Sequence, residues 1–265
     1  MIMSRVFGLT TTILSIMIFR WGGGVVAYQI LGIEKTSSSD DDNAIITVPL
    51  EYLDTTLTLH QQTRESDGSV SMAGTPWPAS YELANYITHP SKRMQFVDQT
   101  VLELGSGLGI CSIAASLLSP RKVIATDGSS TALGLLRRNV GKYNKKDSTE
   151  NNSINYSNII QVQSLEWGRP IEEEVRNAMQ QEYPDILLAS DVVYPRSDRL
   201  AFKQTVQEFC GPNTLFLLGH TWRVQPEDDD AYFDSIGIPY TISNHLRGSR
   251  PAVSILEFRH NHQSL

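Results

Sequence analysis

The chain has 265 residues, 40% of them hydrophobic, which is enough for one sizeable domain with a full core and an additional segment. Its formal net charge is −7 and it has no long basic run, so we expect no duplex nucleic acid as a partner. Two cysteines and six scattered histidines form neither a disulfide framework nor a metal-ligand spacing, so we expect no metal.

The first residues differ in composition from the rest. Arg5 precedes an apolar run from Val6 to Phe19, and no acidic residue occurs before Glu34. The run is shorter than the ~20 apolar residues that a spanning helix needs. We interpret residues 1–27 as a targeting or anchor segment. A signal peptide, a signal anchor that contacts a membrane and a transit peptide all fit this composition, as does an extension without function. The composition therefore leaves the localisation open.

Residues 28–265 are expected to form the functional domain, with a lead-in over 44–90 and a core over 98–265. In the first half of the lead-in, apolar and polar residues alternate, which predicts one or two strands outside the main unit. In its second half, Pro78 suits a first helical position and the apolar spacing after it predicts a helix.

The core alternates strand and helix patterns along its whole length. This order predicts an α/β fold, a doubly wound and mostly parallel sheet with helices on both faces. Strands are predicted at 101–104, 122–127, 159–162, 185–190, 214–218, 240–243 and 254–258. Helices are predicted at 108–118, 130–140, 171–181 and 200–209, with a short acidic helix or loop around 227–234.

The stretch 101–110 is typical of a buried strand, a glycine turn and the start of a helix. Gly105, Gly107 and Gly109 let the backbone turn sharply and approach a ligand, at which the following helix would aim free N–H groups. A dinucleotide fingerprint has its third glycine one place later, which argues against NAD or FAD. Glu103, just before the turn, would suit a ligand with an amino group. S-adenosylmethionine is such a ligand.

Ligands of a doubly wound sheet lie beyond the carboxyl ends of its strands, where this chain has Asp127 and Asp191. Asp127 follows the glycine turn at about the distance where a carboxylate accepts both ribose hydroxyl protons. Asp191, with Tyr194 three residues later, would place a carboxylate and a phenol at the mouth of the pocket. The alternatives are an ordinary cap or turn for each aspartate and a half-buried core position for Tyr194. Beside the glycine turn, we favour the ligand-binding interpretation.

These motifs resemble those of the seven-β-strand S-adenosylmethionine-dependent methyltransferases, and within them the family-16 protein methyltransferases. The resemblance covers most of the chain after Gly74. It rests on a G-T-P-W-P-A segment at 74–79, E-L-G-x-G-x-G at 103–109, Asp127, L-x-W at 165–167 and D-x-x-Y at 191–194.

The resemblance implies a protein methyltransferase that acts on lysine. The turn, the strand ends and the resemblance together give as cofactor-binding residues Trp77, Glu103, Gly105, Ser106, Gly107, Gly109, Asp127, Gly128, Trp167 and Ser190. The two tryptophans would wall the cofactor, and Asp127 would hold its ribose. Asp191 and Tyr194 would be the catalytic pair that orients the lysine amine.

Three alternatives remain beside the lysine methyltransferase. A small-molecule methyltransferase would have the same fold. A closed pocket lid would favour it, and the absence of an obvious lid segment in the sequence disfavours it. A catalytically silent methyltransferase-like binding protein is disfavoured by the intact glycines and aspartates. An NAD-dependent oxidoreductase is disfavoured by the glycine spacing. We expect a monomer whose partner is its protein substrate.

Overall fold

The computed structural model describes residues 16–21, 24–29, 34–36, 43–62, 71–143, 159–193, 198–222, 226–243 and 253–260. Its strands are β1 (Ile16–Trp21), β2 (Gly24–Gln29), β3 (Glu34–Thr36), β4 (Asn43–Leu50), β5 (Thr55–Gln62), β6 (Thr100–Leu104), β7 (Lys122–Asp127), β8 (Ile160–Ser164), β9 (Ile186–Ser190), β10 (Leu215–Thr221), β11 (Tyr240–Ser243) and β12 (Val253–Phe258). Its helices are α1 (Pro78–Thr88), α2 (Ile110–Ser116), α3 (Ser130–Tyr143), α4 (Glu173–Ala178), α5 (Arg199–Phe209) and α6 (Pro226–Ser235), with a 3₁₀ turn at Arg93–Phe96.

Seven strands form the central sheet, in the order β11, β12, β10, β9, β6, β7, β8. The five from β10 to β8 pair in parallel, whereas β12 is antiparallel to both β10 and β11. The predicted doubly wound, mostly parallel sheet is confirmed. After β6 the chain runs outward through β7 and β8 and then returns to β9 on the other side of β6. A crevice therefore opens at the carboxyl ends of β6 and its neighbours.

Strand side chains alternate between two hydrophobic cores, as the period of two requires. Val101 and Val123 lie in the core that α1, α2 and α3 cover. Leu102 and Ile124, each the next residue along, lie in the core that α4, α5 and α6 cover. All four side chains are fully buried, so both faces of the sheet exclude water and the strand ends stay fixed.

Several predicted boundaries differ from the structure by one to three residues, and two of these differences have a clear local cause. Helix α4 ends at Ala178, because Gln180 and Gln181 both have positive φ angles, of 57° and 64°, which no right-handed helix continues through. Strand β10 extends three residues beyond the predicted end at Leu218, because the segment Gly219–Thr221 pairs with β12. The apolar run ends at Leu218, so hydrophobic periodicity did not predict the three paired residues that follow it.

The lead-in strands form a separate antiparallel sheet in the order β3, β4, β5. Asn139 on α3 holds this sheet: its Oδ1 accepts the N–H of His60 at 2.7 Å, and its Nδ2 donates to the carbonyl of His60 at 3.0 Å. The same Nδ2 donates to the carbonyl of Leu108, in the glycine turn, at 3.0 Å. Asn139 is fully buried, so its amide fixes the lead-in sheet relative to the turn.

The interpretation of residues 1–27 as a targeting segment stays a prediction, since residues 1–15 and 22–23 lie outside the described residues. Strands β1 and β2 form an antiparallel pair. No helix in the described parts of the chain combines the length and the apolar character needed to cross a membrane. Residues 144–158 and the D-x-x-Y tyrosine also lie outside the described residues.

Replacement of Gly134 by alanine should stabilise the fold. Gly134 lies in the interior of α3, and a Cβ there would meet no atom within 4 Å. Alanine is favoured over glycine in a helix by about 0.5–1 kcal/mol, because it loses less backbone entropy on folding. Urea denaturation should show an increase of this size in the free energy of unfolding. A decrease would mean that the α3 backbone departs from the helical geometry described.

Candidate functional site

A cavity of about 750 Å³ opens at the carboxyl ends of β6, β7 and β9, within the range typical of small-molecule sites. Most of the residues predicted from the sequence line it. They are Trp77, Gly105, Ser106, Gly107, Asp127, Gly128, Trp167, Ser190 and Asp191. Glu103 and Gly109 are not among the lining residues, and Tyr194 lies outside the described residues.

The glycine turn needs glycine for its backbone angles and for the space around it. Gly105 and Gly107 have φ angles of +70° and +50°, in the left-handed region. A Cβ on Gly105 would lie 2.9 Å from Val192 Cγ1 and 3.0 Å from Trp167 Cζ2, both in residues that line the cavity. A Cβ on Gly107 would lie 3.1 Å from the carbonyl oxygen of Ala73. The turn is therefore wedged between two walls of the cavity.

Ser106 fixes the turn to the neighbouring strand. Its N–H donates to the carbonyl of Thr126 at 2.8 Å, and its Oγ accepts the N–H of the same residue at 3.1 Å. Both bonds are largely shielded from water, since Ser106 is buried. The backbone of the turn is thus held in place on β7, beside Asp127.

Asp127 ends β7 and turns its carboxylate into the cavity rim. Oδ2 accepts the N–H of Gly107 at 3.0 Å, and Oδ1 accepts the N–H of Ser129 at 2.9 Å. Burial raises the pKa of Asp127 above its ordinary value, although these backbone N–H groups lower it. Each oxygen keeps a second lone pair, so the carboxylate can still accept two hydroxyl groups of a ligand. These backbone hydrogen bonds are compatible with the ligand interpretation of Asp127, which stays a prediction.

The predicted contact between Glu103 and a ligand is not supported by its position. Glu103 is 1% exposed, and Oε2 accepts the N–H of Ser112 at 3.0 Å and a short hydrogen bond from the Ser112 hydroxyl. The carboxylate thus binds an N–H group near the start of α2, one of those expected to face the ligand. Glu103 supports the turn from beneath, because strand β6 directs its side chain into the core instead of the cavity.

Gly109 does not line the cavity and has a packing role between two helices. It has φ +85° at the start of α2, and a Cβ there would lie 2.7 Å from Leu136 Cδ1 on α3. Its missing side chain therefore allows the close approach of two helices. Gly105 and Gly107 alone among the three glycines line the cavity.

Replacement of Glu103 by glutamine should remove a pH dependence of stability. Burial raises the pKa of Glu103 from 4.5 to about 7, against hydrogen bonds from Ser112 and Ser106 that lower it. Between these two pKa values the folded protein holds a proton that the unfolded chain has lost. The contribution of this group to the free energy of unfolding is therefore complete below pH 4.5 and is lost as the pH rises through 7. The difference in free energy of unfolding between the glutamine variant and the parent should therefore shift in favour of the variant by up to about 3 kcal/mol from pH 5 to pH 8.5.

Urea denaturation of both proteins at the two pH values tests this. Glu174→Gln, at an exposed position on α4, is the matched control and should change stability equally at both. If the gain of the Glu103 variant is the same at pH 5 and pH 8.5, burial does not perturb this carboxyl group.

Two aromatic side chains wall the cavity. Trp77 directly precedes α1, and its Nε1 donates to the carbonyl of Met72 at 2.8 Å. Trp167 packs edge-on against Phe202 of α5, with ring centroids 5.0 Å apart. Both indole rings are thus held in place by neighbouring residues. Aromatic faces of this kind favour a positively charged ligand.

Asp191 lies at the mouth of the cavity in a strained conformation. Its φ angle is +57°, unusual for a residue other than glycine, and it is 4% exposed. Its N–H donates to the carbonyl of Gly219 at 2.8 Å. Its Oδ2 accepts the hydroxyl of Thr221 at 3.0 Å and its Oδ1 accepts the N–H of Thr221 at 3.3 Å. The carboxylate is thus bound to β10, at a residue 30 positions further along the chain.

Apart from Thr75 in the G-T-P-W-P-A segment, no motif predicted the wall formed by the loop before α1. Met72, Ala73 and Thr75 line the cavity from there. The loop is held by its own polar groups: Thr75 Oγ1 donates to the carbonyl of Ser71 at 2.9 Å, and Ser71 Oγ accepts the N–H of Gly74 at 3.2 Å. Such a loop lacks hydrophobic periodicity, so no pattern distinguished it from an ordinary connection.

Negative charge predominates around the cavity. Its described lining carries four carboxylates, on Asp127, Glu166, Asp191 and Asp198, against the one guanidinium of Arg169. Arg169 forms an exposed ion pair with Glu166 at 3.4 Å. The remaining balance of charge favours cationic ligands and disfavours phosphates.

A family model described as lysine methyltransferase matches residues 53–237. The protein-lysine methyltransferase METTL21E of Mus musculus is 30% identical over 152 residues, which are 57% of this chain and 57% of that protein. The EEF1A lysine methyltransferase 3 of Xenopus tropicalis is 30% identical over 161 residues, 61% of this chain and 63% of that protein. The matched region thus spans less than two thirds of these relatives.

Among solved structures, the T. thermophilus 16S rRNA N2 G1207 methyltransferase RsmC, in complex with AdoMet and guanosine, superposes with a TM-score of 0.55 at 14% identity. The match covers 93% of this chain and 58% of that one. At this identity the likeness shows a shared fold.

Proposed function

The chain belongs to the lysine methyltransferase family whose model matches residues 53–237, and from that premise we propose that it methylates a lysine side chain of a protein. The methyl donor is S-adenosylmethionine. One observation carries the proposal: the glycine turn, Asp127 and Asp191 open into a single acidic cavity. The curated relatives named above are protein-lysine methyltransferases, which supports the substrate class.

The residues around the cavity fit S-adenosylmethionine. The cradle at Gly105 has no room for a Cβ, the two tryptophans suit a sulfonium, and Asp127 has lone pairs left for ribose hydroxyls. When bound, the cofactor supplies a methyl group activated by the positive charge on its sulfur. Ser106 and Asp127 hold the turn rigid, so binding requires little reorganisation of the protein.

Asp191 binds and orients the lysine amine in this proposal. A lysine ammonium must lose its proton before it attacks, which costs about 4–5 kcal/mol at neutral pH from its ordinary pKa. A fully exposed anion would oppose that loss by stabilising the ammonium. Because Thr221 already donates twice to this carboxylate, Asp191 holds the ammonium less strongly and can still accept an N–H from the neutral amine. The buried surroundings also favour the neutral amine.

Methyl transfer from tritium-labelled S-adenosylmethionine into whole-cell lysate proteins tests the activity. Purified EEF1A is a second acceptor to include, because one relative is named for it. We expect labelled protein and, after acid hydrolysis, labelled methyl-lysine. Label on small molecules alone would favour the small-molecule methyltransferase. Calorimetric binding of S-adenosylmethionine without any transfer would favour a silent binding protein.

A further inference from the structure

The first residue of α5 reaches back to the segment that carries Asp191. Arg199 Nε donates to the carbonyl of Val193 at 3.0 Å. Its NH1 donates to the carbonyl of Asp228 at 3.3 Å, and its NH2 forms a short ion pair with Asp229. The planar guanidinium thus joins α5, α6 and the segment after β9 through three separate donors.

Asp229 connects this guanidinium to β10. It is 5% exposed, and its Oδ2 lies 3.0 Å from His220 Nε2. Burial would raise the pKa of Asp229, but the hydrogen bonds and charges of His220 and Arg199 outweigh it and lower this pKa. An ionised carboxylate only accepts, so His220 donates from Nε2. The imidazole of His220 packs on its other sides against Trp222 and Phe233, whose ring centroids lie 4.9 and 5.0 Å from its own.

Together these residues form a closed ring of hydrogen-bonded contacts around Asp191. His220 lies between Gly219, which accepts the Asp191 N–H, and Thr221, which binds the Asp191 carboxylate. From His220 the ring continues through Asp229 and Arg199 to Val193, two residues beyond Asp191. The segment at the mouth of the cavity is therefore held from β10 on one side and from α5 and α6 on the other.

We propose that Arg199, Asp229 and His220 are positioning residues that hold the strained Asp191 segment in its working geometry. This inference rests on the proposed function, in which Asp191 orients the amine. A left-handed φ at a residue other than glycine persists only where its surroundings impose it. A buried ion pair alone is weak evidence for a contribution to stability. This pair, however, directs its third donor at the Val193 carbonyl, so its geometry serves the segment next to Asp191.

Two variants separate positioning from general stability. Arg199→Lys keeps a positive charge for Asp229 but loses the fork that also reaches Val193. Asp229→Asn keeps an acceptor but loses the charge that holds the guanidinium. In both variants, the kcat for methyl transfer from labelled S-adenosylmethionine to lysate proteins should fall about 10- to 100-fold. A misplacement of the reacting groups by about 1 Å lowers the rate by a factor of this size. Cofactor affinity by calorimetry should stay within about twofold.

Hydrogen exchange gives a readout that does not depend on activity. Loss of the ring should speed exchange of the amides at 191–193, whereas the turn at 105–107 should keep its protection. Arg176→Lys is the matched control, because Arg176 forms an exposed ion pair with Glu208 of α5, away from the cavity. It should change neither transfer nor exchange.

Folded Arg199→Lys and Asp229→Asn proteins with parental kcat and parental exchange at 191–193 would overturn the inference. If Asp229→Asn fails to fold, Arg199→Lys decides the question. A parent protein that transfers no methyl group would overturn the proposed function instead, and faster exchange at 191–193 would then still support the structural half of the inference.

Discussion

Replacement of Asp191 by asparagine should reduce methyl transfer by about 100-fold or more and leave cofactor affinity nearly unchanged. The substitution removes the charge that meets the lysine ammonium. Asparagine tolerates the left-handed φ of +57° at this position, and its amide oxygen can still accept a hydrogen bond from Thr221. The local structure should therefore survive, and the loss should appear in kcat for lysate proteins. Alanine would be a poorer test, because it adds backbone strain and removes both Thr221 contacts.

Asp185→Asn is the matched control for this experiment. Asp185 immediately precedes β9, at the opposite end from Asp191, and its Oδ2 accepts the N–H of Thr100 at 2.8 Å. Asparagine can keep that bond, and the site lies far along the strand from the cavity, so transfer should not change. A folded Asp191→Asn protein with parental activity would show that the carboxylate is a structural cap, and the silent or small-molecule interpretations would gain support.

Replacement of Gly105 by alanine should weaken S-adenosylmethionine binding by about 100-fold or more. The left-handed φ of +70° disfavours any Cβ by roughly 1–2 kcal/mol. The added Cβ would also lie 2.9 Å from Val192 and 3.0 Å from Trp167, so the walls that the cofactor needs must move. Calorimetry with S-adenosylmethionine and with its demethylated product measures the loss, and circular dichroism verifies that the variant is folded.

The alanine variant of Gly134 is the control here, since it makes the same substitution where nothing lies within 4 Å. It should bind the cofactor with parental affinity. Unchanged affinity in a folded Gly105→Ala protein would show that the ligand does not contact this part of the turn and would move the cofactor site elsewhere in the crevice.

Much of the candidate site was predictable, because its parts follow strands. The glycine turn and Asp191 come directly after buried strands, and Asp127 is the last residue of one. Carboxyl ends of parallel strands share one edge of a sheet. Trp77 and Trp167 required the resemblance to a known family, since a single tryptophan in a loop has no pattern of its own. Tyr194 stays a prediction, because it lies outside the described residues.

Glu103 and Gly109 adjoin the turn but do not line the cavity. Both residues adjoin the turn in sequence, but which side of the sheet a neighbouring side chain faces depends on the twist of β6 and the direction of α2. In the structure, Gly109 packs beside Leu136 of α3, and Glu103 accepts the N–H of Ser112 in the core. Sequence spacing places a residue near a site without deciding whether it faces the ligand or the core.

The sequence by itself determined the fold class, the order of the strands along the chain and the edge of the sheet where the cavity lies. These follow from hydrophobic periodicity, which records whether a residue is buried. Only the tertiary structure decided which residues hold Asp191. Thr221 is 30 residues away, at the end of a strand that extends beyond its apolar run, and the ring through His220, Asp229 and Arg199 crosses three elements. Periodicity says nothing about the partner of a buried polar group, because that choice is made by how the elements pack against one another.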